Sequence, residues 1–254
     1  MAVYSVVYWI FLCSTCVAYF AGALAIWLLT WPFDRNRRIL HLYSCFWAQT
    51  YFWVNPLWHL RIEGRNKLPW HGPAVIVANH QSLGDILVLF GLFRPYKWVS
   101  KASVFKVPFL GWNMKLNGYV GLVRGDKDSI QKMMAECKAW LEKGVPVLLF
   151  PEGTRSSDGE VKAFKDGAFR LACECDVPVI PMALTGTADT LPKHGFKVSL
   201  RSNCRVRVLE ALKPSDFGGS VDALREETRA RIIAAKNELD RERGLPVPVE
   251  TRAA

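Results

Sequence analysis

AVIVANHQSLGD, Ala74 to Asp85, is the stretch on which the reading of this chain turns: a short apolar run, rich in β-branched residues, passes at once into a polar cluster holding a single Gly. An unbroken apolar run of that length reads as a strand buried on both faces, and in α/β proteins the sites sit where such strands end. The same pattern recurs at Val145 to Leu149, which runs into FPEGTRS, Phe150 to Ser156. Tyr119 to Val123, Val177 to Pro181 and Val206 to Leu209 read as further strands, and Asp128 to Lys143 and Asp166 to Cys175 as helices between them. The expected fold class is α/β, with a mixed, mostly buried sheet flanked by helices.

Working outward, the chain has 254 residues, half of them hydrophobic, and 33 Lys and Arg against 23 Asp and Glu for a net charge of +10. That length holds one domain with an appendage better than two full domains. The apolar content excludes a disordered chain, and 18 Gly are too few for a collagen-like one. The charged stretch from Arg61 onward excludes a many-span membrane protein. The first sixty residues carry +2 and the segment from Ser220 carries zero, so +8 falls between Arg61 and Gly219. A basic body favours acidic lipid or phosphate as partner. Nucleic acid is disfavoured, because no basic motif is interleaved with stacking aromatics. Seven Cys without a repeating pair spacing argue against a disulfide framework and a zinc module, and for a reducing compartment.

Ala2 to Trp31 contains no charged side chain. As a helix it would extend about 45 Å, against the ~30 Å of a hydrocarbon core, so it is expected to anchor the chain and can span a bilayer with tilt. Its start, MAVYSVVYW, lacks the basic region of a cleaved signal peptide. Arg35, Arg37 and Arg38 favour the cytoplasmic side of an inner or cytoplasmic membrane and place the body there. A second uncharged stretch, Ile39 to Leu60, reads as a helix that Pro56 bends or ends. On it His41, Ser44, Asn55 and His59 fall within roughly a 60° arc, which Gln49 widens to about 140°. Six of the ten Trp precede Arg61. Two readings stand side by side: a helix lying in the lipid interface, or one packed on the body with its polar groups bonded internally.

Near the other end Val221, Leu224, Thr228, Ile232, Ala235 and Leu239 share one face of a helix that should dock on the body, with a fraying tail after it. The layout is therefore a membrane-anchoring segment over 1–60, a globular body over 61–219, and a C-terminal helix with a flexible tail over 220–254.

Chemistry concentrates in the two polar clusters. His80 and Asp85 are five positions apart, which a regular helix would separate by about 140°, so contact requires an irregular turn, one that Gly84 makes cheap. A His held by a carboxylate through one ring nitrogen is oriented, fixed in tautomer and more basic at the other, and can take a proton from a hydroxyl. The alternative is a His and an Asp that merely cap a helix start. No Gly-x-Ser-x-Gly elbow is present, and Ser82 reads as a helix cap, so the proton acceptor would work directly on a substrate hydroxyl without a covalent intermediate. In the second cluster Arg155 offers a planar two-pronged donor for phosphate, and Gly153 permits close backbone approach. Glu152 can orient Arg155, bind a substrate hydroxyl, or form a structural ion pair. Lys101, Lys106 and Arg124 are further candidates for anion contact, or solvated surface charges.

Together these blocks resemble the lysophosphatidic acid and glycerol phosphate acyltransferases, the PlsC-like enzymes, over roughly Trp58 to Leu184. NHQSLGD matches the family's first block, GYVGLVR (Gly118 to Arg124) the second, FPEGTRS the third and VPVIPM (Val177 to Met182) the fourth, in the family's order. The resemblance implies a glycerolipid acyltransferase-like fold and His80 as general base with Asp85 as its orienting partner. It further implies an acceptor site of Gly118, Arg124, Glu152, Gly153, Thr154 and Arg155, joined by Lys101, with Pro181 shaping the acyl or acceptor pocket. The implied partners are membrane lipid, lysophosphatidate, and acyl-CoA or acyl carrier protein as donor; no metal or organic cofactor is implied. One departure is Val123, where the family usually carries a charged residue before its Arg, which bears on acceptor recognition and keeps another lysolipid, such as a lyso-ornithine lipid, in view. An inactive lipid-binding protein is the rival from a different class.

Overall fold

The computed structural model describes residues 2–156, 159–190 and 197–245. Two helices open the chain, α1 (Ala2–Thr30) and α2 (Arg38–Trp53). Strands β1 (Trp58–Glu63) and β2 (Val75–Ala78) lead to a short α3 (Gly84–Phe90), followed by β3 (Lys97–Lys101), α4 (Leu110–Leu116) and β4 (Val120–Leu122). Then come α5 (Lys127–Glu142), β5 (Val147–Leu149), α6 (Gly167–Glu174), β6 (Val179–Thr185), β7 (Ser202–Val208) and α7 (Val221–Glu242).

The seven strands form one sheet in the order β1-β7-β6-β2-β5-β3-β4. All neighbours are parallel except β6 and β7, which run antiparallel, so the sheet is mixed, as expected. The continuous apolar reading of β2 has a direct cause. Ala74, Ile76 and Ala78 enter one core with residues of α1, α2 and α3, whereas Val75 and Val77 enter a second with α5, α6 and α7. Both faces are covered, and each large side chain so buried contributes on the order of 1.5–3 kcal/mol. β7 instead alternates, with Ser202, Cys204, Val206 and Val208 buried and Asn203 exposed between them, the period-two signature of a half-covered strand.

The second uncharged stretch divides. Its helix stops at Trp53, before Pro56, and residues from Trp58 pair with β7 as strand β1, Trp58 opposite Ser202. The polar stripe of α2 faces the body: His41 Nδ1 lies 2.7 Å from Tyr119 Oη, Ser44 Oγ accepts from Asn117 Nδ2 at 3.1 Å, and Gln49 Nε2 donates to Leu87 O. Of the two sequence readings, the packed helix is the one seen. α1 lies against α2 and the body along much of its length. Tyr8 Oη donates to Tyr51 O at 2.8 Å, Ser5 Oγ accepts the Val198 N–H at 3.0 Å, and Phe20 packs on Phe109 and Trp112 with centroids 5.8 and 5.5 Å apart. Its opposite face leaves Val3, Val6, Val7, Ile10, Leu28 and Leu29 exposed. Val3–Thr30 is long and apolar enough to cross a membrane. The C-terminal helix docks as read, burying Leu224, Thr228, Ile232, Ala235 and Leu239, while residues 246–254 of the expected fraying tail lie outside the described residues.

Candidate active site

Because β2, β5, β3 and β4 are mutually parallel neighbours, their C-terminal ends share one edge of the sheet. β2 delivers Asn79 to Asp85 there and β5 delivers Phe150 to Ser156. Asn79 fixes the exit of β2 by pairing with Leu184 of β6 in both directions, 2.8 and 3.0 Å. Residues 79–83 are not helical, and α3 begins only at Gly84. The chain therefore folds back so that the His80 imidazole and the Asp85 carboxylate meet, Nδ1 to Oδ2 at 2.6 Å. The same Oδ2 accepts the backbone N–H groups of Gln81 at 2.7 Å and Ser82 at 3.1 Å. Thr187 Oγ1 donates to the other oxygen, Oδ1. Asp85 is fully buried, and these four donors satisfy a charge that would otherwise be costly there.

Gly84 serves this turn by leaving space, its φ being unexceptional. A Cβ there would lie 2.9 Å from Thr187 O and 3.0 Å from Ser82 Oγ. Ser82 reads from sequence as a helix cap, but the N-cap of α3 is Leu83, with no side-chain cap bond; Ser82 pins the turn instead, its Oγ accepting the Gly84 N–H at 2.9 Å and donating to Thr187 O at 2.7 Å. The His80 ring stacks on Phe150, centroids 4.1 Å apart and planes 18° apart.

The third block grips His80 by its backbone. Glu152 Oε1 accepts the His80 N–H at 2.7 Å, and Ser156 N–H donates to His80 O at 2.8 Å. Glu152 Oε2 accepts the Lys162 N–H at 3.1 Å. Both Glu152 oxygens are thus engaged with main chain, so the geometry gives it a role that was not among those considered from sequence, that of holding His80 by its backbone. Burial pushes the Glu152 carboxyl above its ordinary range, opposed by these two backbone donors. Gly153 is left-handed, φ +70°, and a Cβ there would crowd the Lys165 side chain at 3.0 Å. Thr154 is exposed and Arg155 half-buried beside it.

The remaining candidates are spread along the same edge. Lys101 ends β3 in register with Leu122, and Arg124 follows β4 by two residues; both are exposed. At about 4.8 Å per strand, β3 and β4 themselves lie roughly 10 and 14 Å from β2. Gly118 precedes β4 in a left-handed conformation, φ +69°, with a Cβ position 2.7 Å from Trp140 Cζ2. That is a packing reason for glycine. Pro181 is buried in β6 opposite Val77, its carbonyl accepting the Leu209 N–H at 2.9 Å. It sits within the sheet, three residues along β2 from His80 in register.

Sequence reasoning did not find Thr187, which reaches Asp85 from 102 residues away; the TGT run after the fourth block carried no spacing signal. With Nδ1–H directed at Asp85, the imidazole presents Nε2 as a proton acceptor, an arrangement suited to abstracting a hydroxyl proton.

A sequence profile described as Acyltransferase matches residues 59–185. A 1-acyl-sn-glycerol-3-phosphate acyltransferase of Chlamydomonas reinhardtii is 40% identical over 230 residues, covering 89% of this chain and 67% of the relative. A chloroplastic protein of that name from Brassica napus is 36% identical, covering 81% and 58%, and the mouse alpha protein of that name is 32% identical, covering 66% and 62%. The chain therefore spans between 58% and 67% of the length of these relatives. The crystal structure of the 1-acyl-sn-glycerophosphate (LPA) acyltransferase PlsC from Thermotoga maritima superposes with a TM-score of 0.75 at 22% identity, covering 97% of this chain and 99% of that one. At that identity the match concerns the fold.

Proposed function

The chain belongs to the acyltransferase family, and from that premise we propose that it is a membrane-bound 1-acylglycerol-3-phosphate O-acyltransferase that uses His80 as its general base. The observation that carries the chemistry is the 2.6 Å contact between His80 Nδ1 and the buried Asp85 carboxylate at a strand end. It fixes the tautomer and leaves Nε2 for the substrate. The names borne by the relatives supply the acceptor, lysophosphatidate.

In the proposed step Nε2 takes the proton of the free glycerol hydroxyl as that oxygen attacks the thioester carbonyl of acyl-CoA or acyl carrier protein. A C–O bond forms, the C–S bond breaks, and the imidazolium returns its proton to the departing thiolate. No metal or organic cofactor enters this scheme. Arg155, Arg124 and Lys101, strung along the strand ends, are proposed to hold the acceptor phosphate, a role suited to guanidinium and ammonium donors. Gly153 and Thr154 complete the turn beside them. Membrane attachment is assigned to α1, whose outward face is apolar, and the charges of Arg35, Arg37 and Arg38 support the reading that the body faces the cytoplasm.

The test is an acceptor panel. Purified protein, one labelled acyl-CoA, and lysophosphatidate or neutral and zwitterionic lysolipids are assayed side by side with His80→Ala. Selective acylation of lysophosphatidate, reduced about 10²- to 10⁴-fold in the alanine variant, is the expected result. Preference for a lysolipid without phosphate would overturn the acceptor assignment, and near-normal turnover of the variant would remove His80 from the mechanism.

A further inference from the structure

We infer that Thr187 is a positioning residue for the catalytic pair: its hydroxyl locks the rotation of the Asp85 carboxylate and so the aim of the His80 ring. The inference rests on the reading of His80 as general base and adds to it a component supplied from the end of the neighbouring strand, β6.

Asp85 carries three donors on Oδ2, namely the His80 ring and the Gln81 and Ser82 backbone groups. All three come from the same turn and converge on one oxygen, which leaves the second oxygen to be held from elsewhere. Thr187 binds Oδ1 and belongs to a different element, the turn that leaves β6. A carboxylate held at both oxygens from two independent segments has one orientation; held at one oxygen, it retains a torsional freedom that the imidazole shares. Thr187 also receives Ser82 Oγ on its carbonyl oxygen at 2.7 Å, so it closes the His80–Asp85 turn at two points. Its side chain is wholly buried, and its hydroxyl lies 3.3 Å from Gln81 Oε1, a second acceptor inside the same turn.

The segment holding Thr187 is itself rigidly placed. Gly186 is left-handed, φ +85°, and a Cβ there would fall 2.2 Å from Asn203 O, so only glycine fits. Thr185 donates to Asp240 of α7 and accepts from Arg243 Nη1 at 2.9 Å. The missing side chain of Gly84 is what lets Thr187 O approach. Each of these features fixes the segment from which the Thr187 hydroxyl meets the Asp85 carboxylate. Residues that orient a reacting group from behind commonly account for ten- to hundredfold effects without touching substrate.

The experiment compares Thr187→Val, Thr187→Ser and His80→Ala in the full chain, measuring kcat and both Michaelis constants alongside Tm. Valine keeps the shape and removes the donor; serine keeps the donor. The expected result is a kcat lowered about 10- to 100-fold in the valine variant, with acceptor and donor KM within about twofold of wild type and serine restoring most of the rate. Wild-type turnover in the valine variant, a loss carried by KM, or a serine variant as impaired as valine would each overturn the inference. Should the valine protein lose its fold, Thr187→Cys against Thr187→Ser decides: the weaker thiol donor must turn over more slowly at equal KM. Equal rates there would sink the proposal. If His80→Ala stays active, the general-base reading itself fails; if it is inactive while the valine variant is normal, only the role of Thr187 does.

Discussion

Glu152 holds His80 by the main chain: its Oε1 accepts the His80 N–H at 2.7 Å while its Oε2 accepts the Lys162 N–H at 3.1 Å. A glutamine can satisfy only one of these, because its amide nitrogen opposes the second donor. Glu152→Gln should therefore cost about 1–3 kcal/mol and lower kcat, with the loss read by denaturant unfolding and initial rates. Burial raises the Glu152 carboxyl above 4.5. A raised carboxyl favours the folded state most at low pH and loses that advantage as pH climbs through its folded value. From about pH 4 upward the wild-type Tm should fall relative to the glutamine variant, and a wild type that gained on it would show the opposite sign.

Asp85→Asn tests the tautomer. The amide must turn its nitrogen toward some of four hydrogen-bond donors, and it no longer requires Nδ1 of His80 to carry the proton. A kcat reduced about 10²- to 10⁴-fold with little change in acceptor KM is expected. Activity within a few-fold of wild type would show that the carboxylate does not set the ring.

Lys97 is buried where the α1–α2 junction meets the body. Its Nζ donates to Asn36 O at 2.8 Å and Asn117 O at 2.6 Å, 4.5 Å from the Trp140 ring centroid. Burial lowers its pKa from 10.5 to about 7, Asp34 partly opposing. A lowered lysine binds fewer protons folded than unfolded, so its contribution to stability grows as pH rises from about 7 towards its ordinary value. The Tm difference between wild type and Lys97→Met should widen in favour of wild type over that interval; a flat difference would show the amine to be neutral or charged in both states alike.

Gly118→Ala separates packing from recognition. The alanine would need φ +69° and a Cβ 2.7 Å from Trp140 Cζ2, for a cost of about 1–3 kcal/mol. A lowered Tm with unchanged acceptor KM is expected. A raised KM at unaltered Tm would instead give this glycine the direct acceptor role that the family resemblance implies.

The strands that carry chemistry were legible because their two covered faces leave unbroken apolar runs, as in Val75–Ala78 and Val147–Leu149. β1 was hidden: Trp58, Leu60 and Ile62 alternate with polar residues, but the first of them continue an uncharged stretch that reads as helix. β3 was missed because Lys97 breaks its apolar pattern, the charge being accommodated by two carbonyls that no local sequence announces. The His80 and Asp85 pair could be read from spacing plus Gly84, although that glycine works through space for Thr187 O. Thr187 itself needed the sheet, since only the neighbouring of β6 and β2 brings its turn to Asp85.

The last helix contributes no group to the catalytic pair, yet it has hold of both segments that flank it. Arg229 donates to Val161 O and Lys162 O, at 2.9 and 3.0 Å, behind the Glu152 contact, and Asp240 and Arg243 fasten Thr185 beside the Asp85 contact. The grip on the His80 main chain and the grip on its aspartate therefore share one backing element, so the two are braced together although their residues come from opposite flanks of the turn.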